Sequence, residues 1–156
     1  MPCYGDERTL ERIRRVFDYA FNSPYKQALP QLELRRIEGP MVLFGRTVQP
    51  LTVYHGKLPV LGFRLGGFAY VTDCSAIPPG TMAQLRDLDI LVLDALRYKE
   101  HPTHFNVDQA LAVVTELKPR HTYFTHIAHE LDHYPTNAAL PEHVELAYDG
   151  LVLNNL

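Results

Sequence analysis

His55, Asp73 and His126 each close a short apolar run, VYH, YVTD and YFTH. Imidazole suits zinc, iron and nickel; a carboxylate can bridge two ions and suits harder metals such as manganese. Hydrolytic chemistry at a metal needs such groups to converge from several strand ends. Taken singly, a histidine after a strand is more often an ordinary surface or hydrogen-bonded residue. Asp73, placed before Cys74-Ser75, could simply open a turn. Three ligand-type residues at three strand ends of one layer favour a metal site. Eight histidines are present in all; none lies in residues 1–54, and four fall within residues 121–133.

A second pattern competes for the same chemistry. His129-Glu130-Leu131-Asp132-His133 is a literal H-E-x-x-H. On a helix it would put two imidazoles on one face with a glutamate as general base, as in a zinc metalloprotease. Glu142 or Glu145 would be the third ligand. The flanking sequence opposes this reading. HTYFTH upstream reads as a strand, and Pro135 is expected to stop a helix two residues after His133.

The elements that must position these groups follow from local patterns. Asp6 is an N-cap for a helix with a stripe of Leu10, Ile13, Val16, Phe17 and Ala20, ending near Asn22-Ser23-Pro24. Strands are expected over 31–37, 47–55, 62–66 and 67–73, with Gly66-Gly67 as a tight turn. Residues 77–88 read as a turn and short helix. DILVLDAL (89–96) is a continuous apolar run, as in a strand buried on both faces. Asn106 caps a helix, with Gln109 completing a capping box. HTYFTH is a strand, and HVELAYDGLVL (143–153) predicts a strand pair around Asp149-Gly150. Alternating strands and helices in the second half predict α/β layering with helices on a sheet. Sites in such layers form at the carboxyl ends of strands. His55, Asp73, Asp94, His104 and His126 all fall there or on the loop beyond.

The 156 residues fit one domain, 1–156. A net charge of −3 opposes a general nucleic-acid or membrane binder. No apolar run approaches the roughly 20 residues that span a bilayer. Two cysteines, Cys3 and Cys74, are too few for a disulfide framework, and no secretory leader is visible, so a cytoplasmic location is expected.

In order, VYHGKLPVLGFRLGGFAYVTDCS, LDILVLDALR, HPTHFNVDQAL and YFTHIAHELD resemble the later motifs of the metallo-β-lactamase superfamily. Among its members they are most similar to the phosphoribosyl cyclic phosphodiesterases of phosphonate breakdown. The tRNA 3′-processing endonucleases are more distant. The resemblance covers roughly residues 40–153. It implies the C-terminal part of an αββα sandwich, a sheet with flanking helices. It implies hydrolysis of a small, cyclic phosphodiester with divalent zinc or manganese ions, two of them in a complete enzyme. His55 would be the lone histidine ligand of the first metal, Asp73 the bridging carboxylate, and His126 the histidine ligand of the second. His104 would be the catalytic acid, and His129 would support the ligands from behind.

The family's His-x-His-x-Asp-His signature is missing from this sequence, and the opening helix fits the segment that normally follows it. The expectation is therefore a chain carrying part of the metal site, with its open sheet face covered by a second copy in a homodimer or by a missing N-terminal half. A non-catalytic remnant acting through such pairing is the alternative from another functional class.

Overall fold

A computed structural model of the chain describes residues 1–22 and 29–154. The expected helix end at Ser23-Pro24 lies outside the described residues. The backbone forms two compact units, Met1–Met41 and Val42–Leu156.

In the first unit β1 (Pro2–Gly5) pairs in parallel with β2 (Glu33–Arg36), and between them run α1 (Glu7–Val16) and α2 (Asp18–Asn22). Asp6 caps α1 as expected, its carboxylate accepting the Thr9 N–H at 2.8 Å. The continuous stripe is not realised. The helix breaks at Phe17, and of the predicted apolar positions only Leu10 is buried, while Val16 is 56% exposed.

The second unit is built on a seven-stranded sheet in sequential order. Its strands are β3 (Met41–Leu43), β4 (Arg46–His55), β5 (Leu58–Leu65), β6 (Phe68–Val71), β7 (Ile90–Asp94), β8 (His121–Thr125) and β9 (Val144–Leu146). β4, β5 and β6 are antiparallel neighbours, and β6 to β9 are parallel. β4 therefore runs the same way as β6, β7 and β8, and all four end at one edge. This topology brings His55, Asp73, Asp94 and His126 to a common edge from four strands.

Alternate side chains explain the two faces. Val71, Leu93, Phe124 and Leu146 stand in cross-strand register and are buried to within 1%. They pack with Val107, Ala110, Val114 and Leu117 of α4 (Val107–Leu117). The predicted capping box is present: Asn106 Oδ1 accepts the Gln109 N–H at 2.8 Å and Gln109 Oε1 accepts the Asn106 N–H at 3.0 Å. α3 (Pro79–Gln84) is tied to β4 where the Thr81 hydroxyl donates to the Thr52 carbonyl at 2.7 Å. The opposite face carries the row Pro50, Phe63, Tyr70, Val92 and Tyr123, in which Tyr70 is 41% exposed.

Two expectations fail near the end of the chain. Only β9 forms from the predicted strand pair. Leu151 N–H closes a turn on the Tyr148 carbonyl, no strand follows among the described residues, and Val152 is 72% exposed. Pro135 does not stop a helix; it sits in the first turn of α5 (His133–Ala139), where its missing N–H costs nothing.

Candidate metal centre

Each clustered side chain is placed by the backbone at the carboxyl edge. His55 is the last residue of β4. Asp73 lies two residues beyond β6 and His126 one beyond β8; both take left-handed conformations, φ 52° and 62°. Such angles cost a non-glycine residue energy and concentrate at functional sites. Tyr54 and Ala76 form a β-bridge, and the Phe105 N–H donates to the Cys74 carbonyl at 2.7 Å. The loops after β6 and β7 are thereby anchored to β4 and to each other. Gly56 turns the chain after His55 with φ 64°, and a Cβ there would stand 3.0 Å from Thr103 Cγ2. Only glycine allows both that angle and that approach.

His55, Asp73 and His104 each bring one ligand-type atom to within 4.8 Å of the others. Asp94, His104 and His126 do the same. His126 Nε2 lies 3.7 Å from Asp73 Oδ1. The His104 ring lies 4.5 Å from that of His55, 4.6 Å from that of His126 and 5.0 Å from that of His101. All three predicted ligands thus meet around His104. His104 is on the expected loop, but it is buried, 8% exposed, not open to the solvent side.

Protons at the cluster follow from its hydrogen bonds. His55 Nδ1 is 2.9 Å from the Thr103 carbonyl, which only accepts, so Nδ1 carries the proton and Nε2 keeps its lone pair. His104 Nδ1 lies 3.0 Å from Asp94 Oδ2, and again Nε2 is left with a lone pair. Asp94 Oδ2 also accepts the Cys74 N–H at 3.0 Å, while its buried Oδ1 has no partner. Burial raises the Asp94 carboxyl above its ordinary range, against the pull of the Cys74 N–H and of His104. Burial also pushes the Cys74 thiol up to about 12, and its Sγ points to the Ala76 carbonyl, so Cys74 is a packed thiol and not a ligand.

This donor set fits a divalent ion: the imidazoles of His55 and His126 and the half-exposed Asp73 carboxylate are ligand-type groups at one edge, with His104 held beside them by its hydrogen bond to Asp94. Asp94 and His101 were not picked out as site residues from sequence. Asp94 carried a signal, as the last residue of an apolar strand, but its pairing with His104 depends on the path of the loop between them. His129 lies exposed in a turn and belongs to neither cluster. The H-E-x-x-H reading is overturned. His129 is in the turn and His133 opens α5, so the two are not on one helix, and Glu130 pairs with Arg97 at 3.3 Å.

Residues 1–127 match the model of the beta-lactamase superfamily domain. The chain belongs to this superfamily. Among solved structures, this superfamily chain is similar to a diphosphatase of the PhnP family. The two are 44% identical with a TM-score of 0.89, over 97% of this chain and 56% of that one. It shares the fold of zinc-bound PqqB from Methylobacterium extorquens (TM-score 0.77, 16% identity, 99% of this chain and 65% of that one). It also shares that of the short form of human tRNase Z (TM-score 0.66, 19% identity, 97% and 65%). A protein named octanoyltransferase from Porphyromonas gingivalis is 31% identical over 155 residues, 97% of this chain but 32% of that protein. The chain thus spans about half of the diphosphatase and a third of the octanoyltransferase.

Proposed function

We propose that this chain carries part of the active site of a metal-dependent hydrolase acting at phosphorus, on a small and cyclic phosphodiester. The observation that supports this most is the meeting of His55, Asp73, His104 and His126 at one sheet edge. In this reading His55, Asp73 and His126 hold zinc or manganese, with Asp73 shared between two ions in a complete site. Bound divalent metal would lower the pKa of water and neutralise charge on phosphoryl oxygens.

The chain's own groups supply the rest. Thr103 and Asp94 fix the ring orientation of His55 and His104 through their Nδ1 protons. His104 donates a proton from Nε2 to the leaving oxygen, and Asp94 offsets the charge on the ring while it is protonated. Asp73 and His126, half exposed, face the approaching ester. A homodimer, or the remaining part of a longer protein, would cover the face carrying Phe63, Tyr70 and Tyr123, which light scattering can test.

The functional test is hydrolysis of a cyclic phosphodiester, with a linear diphosphate ester as the competing substrate, in zinc and in manganese. His104→Ala is expected to lower turnover by about 10²–10⁴-fold. Turnover of the diphosphate alone would reassign the substrate. Unchanged turnover in His104→Ala would remove the proton-donor role.

A further inference from the structure

Thr103 engages two histidine rings and sets them in opposite tautomers. Its carbonyl faces His55 Nδ1 at 2.9 Å, so that nitrogen donates and Nε2 keeps the lone pair. Its N–H donates to His101 Nδ1 at 3.4 Å, and its hydroxyl lies 3.2 Å from the same nitrogen. A backbone N–H only donates, so His101 Nδ1 accepts and the proton of that ring sits on Nε2. A second proton, on Nδ1, would set two N–H groups against each other. His101 is therefore held as a neutral ring with one outward donor. That Nε2 has no hydrogen-bond partner among the described residues, and the half-buried ring lies 5.0 Å from that of His104. The loop that carries it is braced. Arg97 donates to the carbonyls of Lys99 at 3.3 Å and Glu100 at 3.2 Å, and pairs with Glu130 at 3.3 Å.

We propose that His101 is a substrate-binding residue, donating its Nε2 hydrogen to an anionic phosphoryl oxygen of an ester seated beside His104. This rests on the phosphoryl hydrolysis proposed above and names a further residue for it. A neutral ring with its lone pair at Nε2, such as His55, can hold a cation there but repels an anionic oxygen. His101, with the opposite tautomer, does the reverse. Its donor needs no proton uptake and adds no net charge, so it works beside a divalent ion, where a protonated ring would be repelled. A hydrogen bond to a charged oxygen is also the stronger kind. His101 keeps its proton throughout, and its part is to bind and orient.

The test needs no catalysis. Inorganic phosphate is titrated into the zinc-loaded chain at about pH 8, where an ordinary histidine is neutral, and the ring nitrogens are followed by long-range ¹H–¹⁵N NMR. His101 is expected as the Nε2–H tautomer, opposite to His55, with its Nε2 signal moving as phosphate binds. His101→Phe keeps a ring beside His104 but removes the donor. It should weaken phosphate binding about 10–100-fold, as expected for a lost hydrogen bond to a charged group, with zinc content unchanged. His101→Gln restores an N–H donor and should recover part of the loss. Phosphate bound equally well by the parent and His101→Phe would overturn the proposal and leave the metal site of the preceding section standing. So would an Nδ1–H tautomer at His101, or a zinc-loaded parent whose His101 signal ignores phosphate. Zinc uptake indifferent to His55→Ala and His126→Ala would remove that metal site, and this proposal with it. The tautomer and the phosphate shift are read on the unmodified chain, so they decide whether or not the variants fold.

Discussion

Val71, Leu93 and Phe124 lie side by side on β6, β7 and β8, and one or two residues farther along the same strands stand Asp73, Asp94 and His126. The first row is wholly buried, in extended backbone, with no polar side-chain atom to satisfy. The second holds two residues at positive φ and a buried carboxylate oxygen without a partner. Neighbouring positions on one scaffold thus follow opposite rules. The inner row supplies rigidity. The edge spends part of it to hold polar groups in a fixed, unrelaxed arrangement, as functional sites do.

Truncation should expose that division most strongly. Phe124 is the largest fully buried side chain, packed between the sheet and α4. Phe124→Ala is expected to cost about 3–5 kcal/mol, much of a typical domain's stability. Asp73→Asn, two residues beyond β6 and half exposed, keeps a short side chain that tolerates φ 52° and should stay within about 0.5 kcal/mol in the metal-free chain. Urea unfolding followed by circular dichroism measures both. Equal costs would erase the distinction between the rows.

How far the sequence reveals this arrangement depends on the range of the interaction. The Asn106–Gln109 capping box is local, and its residue types announce it. The strands ending at His55, Asp94 and His126 show in their apolar runs, so the edge was legible. β2 fell inside the strand expected over 31–37, but β1 was not legible: four residues, paired across two intervening helices, carry too little periodicity. HVELAYDGLVL alternates like a hairpin, but among the described residues no strand pairs with Val152, which is 72% exposed. The contact of Thr103 with His55 was hidden for another reason. It is made by a backbone carbonyl, which any residue type offers.

A second, smaller effect concerns the buried carboxylate. Asp94 is raised in the folded chain, chiefly by burial. Between the ordinary carboxylate value of about 4 and that raised value, the native state keeps a proton that the unfolded chain has lost. Unfolding free energy therefore falls as pH rises through this window, and recovers on acidification. Asp94→Asn removes the titration, so this part of the pH profile should flatten in the metal-free chain. A variant profile that still falls over the same window would mean that another group carries the effect.

The smallest expected change tests the strain at the edge. His126 sits at φ 62°, where an L side chain brings Cβ too near the following carbonyl, at a cost of about 1–2 kcal/mol. Asparagine tolerates this conformation better, because its short side chain can bond locally. His126 is partly exposed and its 3.7 Å approach to Asp73 is too long for a strong bond, so little is lost by replacing the ring. His126→Asn should therefore leave the metal-free chain as stable as the parent or more stable by less than about 1 kcal/mol, measured as a shift of the urea midpoint. Its zinc affinity should fall, since an amide oxygen is a poorer zinc ligand than imidazole. Stability and binding moving in opposite directions would show the edge residue is held in its conformation for the ion, not for the fold. A clear loss of stability would show the ring packing on His104 contributes to folding, and would move His126 from the edge into the buried row.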